Sequence, residues 1–548
     1  MRKTIIYQIF TRLYGNRNTT RKPFGTIEED GSGKMNDLTA PVLRQIRGLG
    51  VTHVWYTGII RHATMTDYTQ FGIPRQHPAV VKGRAGSPYA IADYYDVDPD
   101  LAVDVVKRME EFTKLVNRTH RAGMKVVIDF VPNHVARQYK SIAKPEGVRD
   151  LGEDDDTTHG FDRQNNFYYC PGQSFTPYFD LYHGEHEPYS ETPAKATGND
   201  CFHNAPGVND WYETVKLNYG VDYYAGVTPA NFQLSPHASV PNTWHKMLDI
   251  LLFWAQKGVD GFRCDMAEMV PTAFWTWAIE LVRKQYPKVL FIGEVYNPGE
   301  YRNFVTAGFD YLYDKVGMYD AMIDVLCHRR DTNALTWAWQ QTDDIRRHML
   351  YFLENHDEQR LASDFIVADA AKALPALVVA ALLQQNPMML YAGQEWGERG
   401  MDAEGFSGCN GRTTIFDYWA LSQQRDTPLT EYYRRVMNIA TAEKAVSEGQ
   451  MFDLMYVNTQ YHRQYAFIRK AKDSMLLVVA NFDDLPVDMA LTLPAHAFDY
   501  LGIEAGAYTA VDLLTGNESS IDMQSETNVD ISLAPRQSVV LKLKNTAA

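Results

Sequence analysis

Acids and histidines gather at the ends of four short apolar runs. Asp129-Phe130-Val131-Pro132-Asn133-His134 closes one of them and Gly261-Phe262-Arg263-Cys264-Asp265 a second. Gly293-Glu294-Val295-Tyr296 closes a third, and Glu354-Asn355-His356-Asp357 a fourth. One acid at a strand end is ordinarily a helix cap or a salt-bridge partner. Four such clusters brought to one rim would instead make an active site, because a parallel α/β barrel carries its functional side chains at the C-terminal ends of its strands. Side chains alternate along a strand, so Arg263 projects to the same face as Asp265, and Cys264 between them turns away to pack.

Other chemistries find little support. The five cysteines (Cys170, Cys201, Cys264, Cys327 and Cys409) are scattered, odd in number and without a CxxC pair, which argues against a disulfide framework or a zinc ribbon. No GxGxxG or GxxxxGK[ST] follows a strand, so a nucleotide site is unsupported. Fifty-three basic against 68 acidic residues leave a net charge of −15, which disfavours nucleic acid and anionic membranes as partners. No run of ~18–20 apolar residues could cross a bilayer. The N-terminus leads straight into Ile5-Ile6-Tyr7-Gln8-Ile9-Phe10 with no secretory leader pattern, so a cytoplasmic protein is expected.

The elements that must position the clusters follow from periodicity. Strands are predicted at Ile5–Phe10, His53–Tyr56, Val126–Val131, Gly261–Asp265, Val289–Gly293, Tyr311–Tyr313, Met349–Glu354 and Met388–Tyr391. Helical patterns lie between them at Val103–Ala122, Thr243–Lys257, Thr272–Lys284 and Ala370–Gln384. Alternating strands and helices imply parallel βα units, and this strand count is that of a closed (β/α)8 TIM barrel; a doubly wound open sheet is the competitor. The gap between the third and fourth strands is too long for a structureless loop. Residues 135–220 are therefore expected to form an inserted domain, with barrel parts at 1–134 and 221–443. The acidic run Glu153-Asp154-Asp155-Asp156 in the insert reads as a solvated loop, with a cation site as the sharper alternative. Beyond residue 444 short strands separated by turns predict a C-terminal all-β sandwich over 444–548.

The ordered motifs resemble the sequence regions of the α-amylase family, glycoside hydrolase family 13. Asp129–His134 resembles the family's first region, Gly261–Asp265 its second, Gly293-Glu294-Val295 its third and Asn355-His356-Asp357 its fourth. Val215-Lys216-Leu217-Asn218 is similar to the fifth, in its neopullulanase and cyclomaltodextrinase form, and Tyr391-Ala392-Gly393-Gln394-Glu395 resembles the strand-eight segment. The resemblance implies that Asp265 is the nucleophile, Glu294 the general acid/base and Asp357 the transition-state stabiliser. It implies that Arg263, His134, His356, Tyr89 and Asp129 bind or support the glucosyl unit, with Tyr89 stacking on the sugar. Asn133 matches a frequent calcium ligand of the family, so a structural calcium is an expectation, although the chemistry itself requires no cofactor.

These roles fit the chemistry of retaining glycoside hydrolysis, which needs two carboxyl groups about 5–5.5 Å apart. Arg263 is expected to hold the Asp265 pKa down, and crowding by Asp265 and Asp357 to push that of Glu294 up. Met266-Ala267-Glu268-Met269 stands where many α-amylases carry a Lys-His pair, which leaves acceptor preference open. Three readings follow: a hydrolase of α-1,4-glucans or maltooligosaccharides, a transglycosylase or isomerase sharing its covalent intermediate, and a non-catalytic glycan-binding relative. The last would have lost catalytic carboxylates, and here all three are present.

Overall fold

A computed structural model describes residues 3–179, 187–401, 411–423 and 425–546. Eight parallel strands close into a barrel. They are β1 (Ile5–Phe10), β2 (His53–Thr57), β3 (Lys125–Phe130), β4 (Gly261–Cys264), β5 (Leu290–Gly293), β6 (Tyr311–Tyr313), β7 (Met349–Phe352) and β8 (Met388–Tyr391). Each pairs with its sequence neighbours, and β1 pairs with β8 to complete the ring. The near-continuous apolar strands are the pattern expected of a parallel sheet buried on both faces; all six residues of β1 are buried.

Helices cover the barrel. Arg108–Arg121 buries Phe112, Leu115, Val116 and Thr119 on one face, the spacing of an amphipathic helix. The predicted start of this helix at Val103 is displaced. Asp104 accepts a hydrogen bond from the Val106 N–H (3.1 Å) and caps a separate 3-10 turn, Val105–Lys107. Similarly, Ala370–Ala373 is a 3-10 turn, and the α-helix runs from Leu374 to Leu382 with Pro375 in its first turn. That helix is buried on every side because it lies between the barrel and the C-terminal sheet.

A strap follows β2. Ile60–His62 pairs antiparallel with Ile91–Val97, with register shifts on both sides of Arg61. No alternating apolar pattern announces this pairing, because buried charges hold it. Arg61 pairs with Asp93 and Asp96 (3.2 Å each), and Arg108 with Asp96 (2.6 Å). The strap's far end, residues 82–89, lies against the segment after β8. Buried Arg12 donates to the carbonyls of Ala85 (3.3 Å), Gly86 (3.2 Å) and Ile415 (2.6 Å) and so ties the two together. Gly86 sits at φ 80°, and a Cβ there would lie 1.7 Å from the Ala63 carbonyl oxygen. Gly86→Ala is therefore expected to destabilise the protein by more than about 1 kcal/mol, read as a fall in melting temperature; an unchanged melting temperature would mean the strap is not rigid here.

The insert between β3 and β4 contains two small antiparallel pairings, His134–Ala136 with Thr214–Lys216 and Tyr169–Cys170 with Ala194–Lys195. The acidic run is absorbed by its own surroundings: Asp154 pairs with Arg149, and Asp155 accepts from the Asn166 N–H (2.7 Å), the Phe167 N–H (3.0 Å) and the Tyr169 hydroxyl (3.0 Å). After Lys444 the chain forms an antiparallel domain with one six-stranded and one two-stranded sheet. Buried Arg469 joins it to the barrel through the carbonyls of Leu383, Ala445, Val446 and Gly449 (2.7–3.0 Å). Cys170, Cys201, Cys264 and Cys327 are free thiols, while Cys409 lies outside the described residues. Among the described residues no helix is long and apolar enough to cross a membrane.

Candidate active site

The Arg263 guanidinium, fully buried, organises the rim. On β4 it stands beside Asp129 of β3, its direct cross-strand partner. Its Nη1 lies 2.6 Å from Asp265 Oδ1 and 3.7 Å from Asp129 Oδ1, and its Nη2 lies 2.8 Å from Glu294 Oε1. Its Nε donates to the Tyr313 hydroxyl (3.2 Å). The rings of Trp55, Tyr89 and Tyr313 surround it at 5.2–5.5 Å. A guanidinium is planar, permanently charged and weakly hydrated, which suits it to contact several carboxylates in a buried place.

Glu294 follows the last residue of β5. Its Oε2 accepts from the Met266 N–H (2.8 Å) and its Oε1 from the Tyr296 hydroxyl (2.8 Å). Met266 reaches that position with φ 43°. A non-glycine residue there is strained, a cost that persists at sites where geometry is tightly determined. Asp129 accepts from the Trp55 indole N–H (3.1 Å). On the opposite side, the Tyr89 ring stacks on His356 with centroids 5.2 Å apart, and its hydroxyl meets His356 Nε2 at 2.5 Å. The same Nε2 lies 3.0 Å from Asp357 Oδ2. Gln8 Nε2 lies 2.8 Å from His356 Nδ1 and holds the ring so that Nε2 faces Asp357. His134 lies 5.4 Å from the Trp211 ring, and burial pushes its pKa down to about 4.

Tyr89, His134, Asp265, Glu294 and Asp357 line one cavity of about 260 Å³, together with Lys82, Trp211, Glu213, Met266, Tyr296 and Phe416. The cavity is small beside the roughly 300–1,000 Å³ of common small-molecule sites. Arg263, His356 and Asp129 stand behind this lining. Not every strand-end acid joins them. Glu354 turns away to Arg360 (2.8 Å) and the Leu361 N–H (2.7 Å), and Glu395 turns to Tyr7.

One electrostatic expectation needs correction, and a second holds in direction with burial as its larger cause. Burial raises the Asp265 pKa, and the opposing pull of Arg263 does not reverse it. Burial also leads the rise at Glu294, with Arg263 opposing and the crowding by Asp265 and Asp357 adding less. Low polarity disfavours the ionised carboxylate, and here it outweighs the neighbours. At Asp357 the balance reverses: burial alone would raise its pKa, but the His356 imidazole beside it brings it down to about 2. The rim thus holds two carboxyls, Asp265 and Glu294, whose surroundings favour the protonated form, beside a third, Asp357, whose surroundings favour the ionised form.

A pH consequence follows. Chemistry that needs Glu294 protonated is lost as pH rises through its raised pKa, and chemistry that needs Asp265 ionised is lost as pH falls through its own. The Tyr296 hydroxyl donates to Glu294 and so favours its ionised form. Tyr296→Phe is therefore expected to move the basic limb of kcat/KM to higher pH; a limb that stays fixed or moves down would refute this assignment.

The expected calcium does not suit the residues around Asn133. Its Oδ1 accepts from Lys216 Nζ (2.7 Å), and its Nδ2 donates to the Gly198 carbonyl (2.7 Å). The buried Lys216 ammonium also pairs with Asp200 Oδ1 at 2.5 Å. A cation already occupies the oxygen cluster, and calcium would need six to eight oxygen ligands there.

Sequence reasoning missed several residues. Tyr296, two positions after Glu294 and hence on its face, was within reach of the alternation argument. Gln8, Trp55 and Tyr313 project inward from β1, β2 and β6, but nothing local marks them. Lys82, Trp211, Glu213 and Phe416 come from irregular segments, where no periodicity operates.

Comparison with known proteins agrees with the geometry. The family model for the α-amylase catalytic domain matches residues 8–451. Neopullulanase 2 of Thermoactinomyces vulgaris is 22% identical over 98% of this chain and 77% of its own length. A cyclomaltodextrinase of a Bacillus species is 23% identical over 88% of this chain and 73% of its own. The solved structure of the noncanonic maltogenic α-amylase AmyB from Thermotoga neapolitana superposes with a TM-score of 0.65 at 19% identity, covering 98% of both chains. The chain belongs to the α-amylase family of glycoside hydrolases, glycoside hydrolase family 13.

Proposed function

We propose that the protein is a retaining glycosidase that cleaves α-1,4-glucosidic bonds of starch-type glucans or maltooligosaccharides. Asp265 attacks the anomeric carbon while Glu294 gives its proton to the leaving oxygen. A covalent glucosyl-enzyme forms, and Glu294, now ionised, takes a proton from water as that water releases the sugar. Asp357 and His356 hold the ring's hydroxyls, Tyr89 supports the ring's face, and Asp129 with Arg263 fixes the nucleophile. No metal takes part in any step.

One observation carries this reading. Asp265 and Glu294, at the ends of paired strands β4 and β5, both contact the same guanidinium. Two carboxyls bridged by one planar group are near neighbours, an arrangement compatible with the ~5–5.5 Å spacing of the double-displacement mechanism, whereas an inverting pair stands ~6.5–9.5 Å apart. The α-1,4 preference rests on the relatives, which include a maltogenic α-amylase. The test is digestion of maltoheptaose with the product anomer followed by NMR. The α-anomer is expected to appear first, and a first-formed β-anomer would exclude the mechanism. Products longer than maltoheptaose would move the reading to transglycosylation.

A further inference from the structure

The cavity has a second charged feature that the chemistry above does not use. Lys82 Nζ stands 3.1 Å from Glu213 Oε2, and both side chains are almost wholly buried. The ammonium lies 5.5 Å from the Tyr212 ring and 6.0 Å from that of Phe416. A desolvated ion pair is costly to hold unless its geometry is well fixed, and here three segments fix it. Lys82 comes from the strap after β2, Glu213 from the insert and Phe416 from the segment after β8. The Phe416 carbonyl accepts from the N–H groups of Ala85 (2.9 Å) and Gly86 (3.1 Å). Gly83, at φ 64°, passes so close that a Cβ would lie 2.4 Å from the Phe416 oxygen. Beside the pair, Trp211 has φ 41°. Backbone strain of this kind persists where surrounding structure over-determines a functional position.

Its place along the substrate follows from its neighbours. Glu294 gives its proton to the leaving oxygen, so Met266 and Tyr296, which bind Glu294, flank the acceptor side. Lys82 and Glu213 lie at the other end, where both act electrostatically on His134 and Trp211 packs against the same imidazole. We infer that the Lys82–Glu213 pair, walled by Phe416 and Trp211, closes the donor end of the pocket and makes the enzyme exo-acting: it accepts the non-reducing terminus of an α-glucan and excludes the interior of a chain. The inference rests on the glycosidase reading above. A chain bound through its interior must continue past the 4-oxygen of the donor sugar, and the wall stands in that path. A terminal sugar instead offers free hydroxyls to the ammonium and the carboxylate, and hydrogen bonds to charged groups are the stronger kind.

The test compares two p-nitrophenyl α-maltoheptaosides, one with a free non-reducing end and one with that end capped by a 4,6-acetal. Wild-type enzyme is expected to cleave the free substrate, releasing glucose from its non-reducing end, and to cleave the capped one at least 100-fold more slowly. Lys82→Ala combined with Glu213→Ala is expected to narrow that ratio by at least tenfold, a change that a merely destabilised enzyme would not show. Equal cleavage of both substrates by wild type overturns the wall while leaving the glycosidase reading intact, and this arm needs no variant to fold. An unchanged ratio in a folded double variant overturns the role of the pair. Failure to cleave either substrate removes the glycosidase reading and this inference with it.

Discussion

Asp265→Ala is expected to lower kcat on maltooligosaccharides by at least about 10⁴-fold, because it removes the atom that would form the covalent bond. Glu294→Gln should cost roughly 10²–10⁴-fold, the usual contribution of a positioned acid–base group. The two losses differ in kind. A substrate with a good leaving group, such as an aryl glucoside, needs little protonation, so Glu294→Gln should retain part of its glucosyl-enzyme formation. Asp265→Ala should regain nothing on the same substrate. Neither change should unfold the barrel, since in each variant Arg263 keeps the other carboxylate, Asp129 and the Tyr313 hydroxyl as partners. Stopped assays with both substrates, beside circular dichroism of each variant, are the measurement. Near-normal turnover by Asp265→Ala would remove the proposed mechanism.

Lys216→Met is expected to cost about 1–3 kcal/mol of stability, below the figure for a fully buried pair because the Asp200 carboxylate keeps contact with water. The ammonium is shared between Asn133 Oδ1 and Asp200 Oδ1, and it lies on the strand that pairs with His134–Ala136. Without it, an amide oxygen and a carboxylate face each other with nothing between them, and the insert loses one of its links to the end of β3, the backbone pairing remaining. Differential scanning calorimetry should show a lower melting temperature with an earlier transition. Wild-type melting should be indifferent to EDTA, because the cation in this position is part of the chain. A large downward shift with EDTA would restore the calcium expectation and remove Lys216 from this role.

How much of this was legible depends on distance along the chain. The barrel strands could be read because each is a short apolar run whose neighbours are helical, and all eight positions correspond to observed strands. Arg263 and Asp265 could be placed on one face because alternation is a local rule. The strap pairing Ile60–His62 with Ile91–Val97 could not be read: its partners are held by buried Arg61, Asp93 and Asp96 rather than by an apolar pattern. In the C-terminal domain, Glu518–Met523 went unnoticed because it is mostly exposed and lacks an apolar face. The motif containing Lys216 was recognised, but its ammonium's task was not, since Asp200 and Asn133 meet it only in the folded chain. The direction of the Asp265 pKa was misjudged for a related reason. Sequence placed the arginine beside it, whereas the depth of burial that outweighs the arginine is a property of the closed barrel.

The charge around Arg263 has a meaning beyond position. One guanidinium faces Asp129, Asp265 and Glu294, with Asp357 nearby. Apart from the hydroxyl contacts proposed for Asp357, the excess of acid groups gains little from a neutral sugar, whether it is arriving or leaving. Its main effect falls where the proposed mechanism gives the ring oxocarbenium character, for the instant of bond exchange. Uniform attraction would hold substrate and product as firmly as the transition state and so leave the barrier unchanged. A field that acts chiefly on a charged ring lowers the barrier of the proposed reaction without adding to the grip on product.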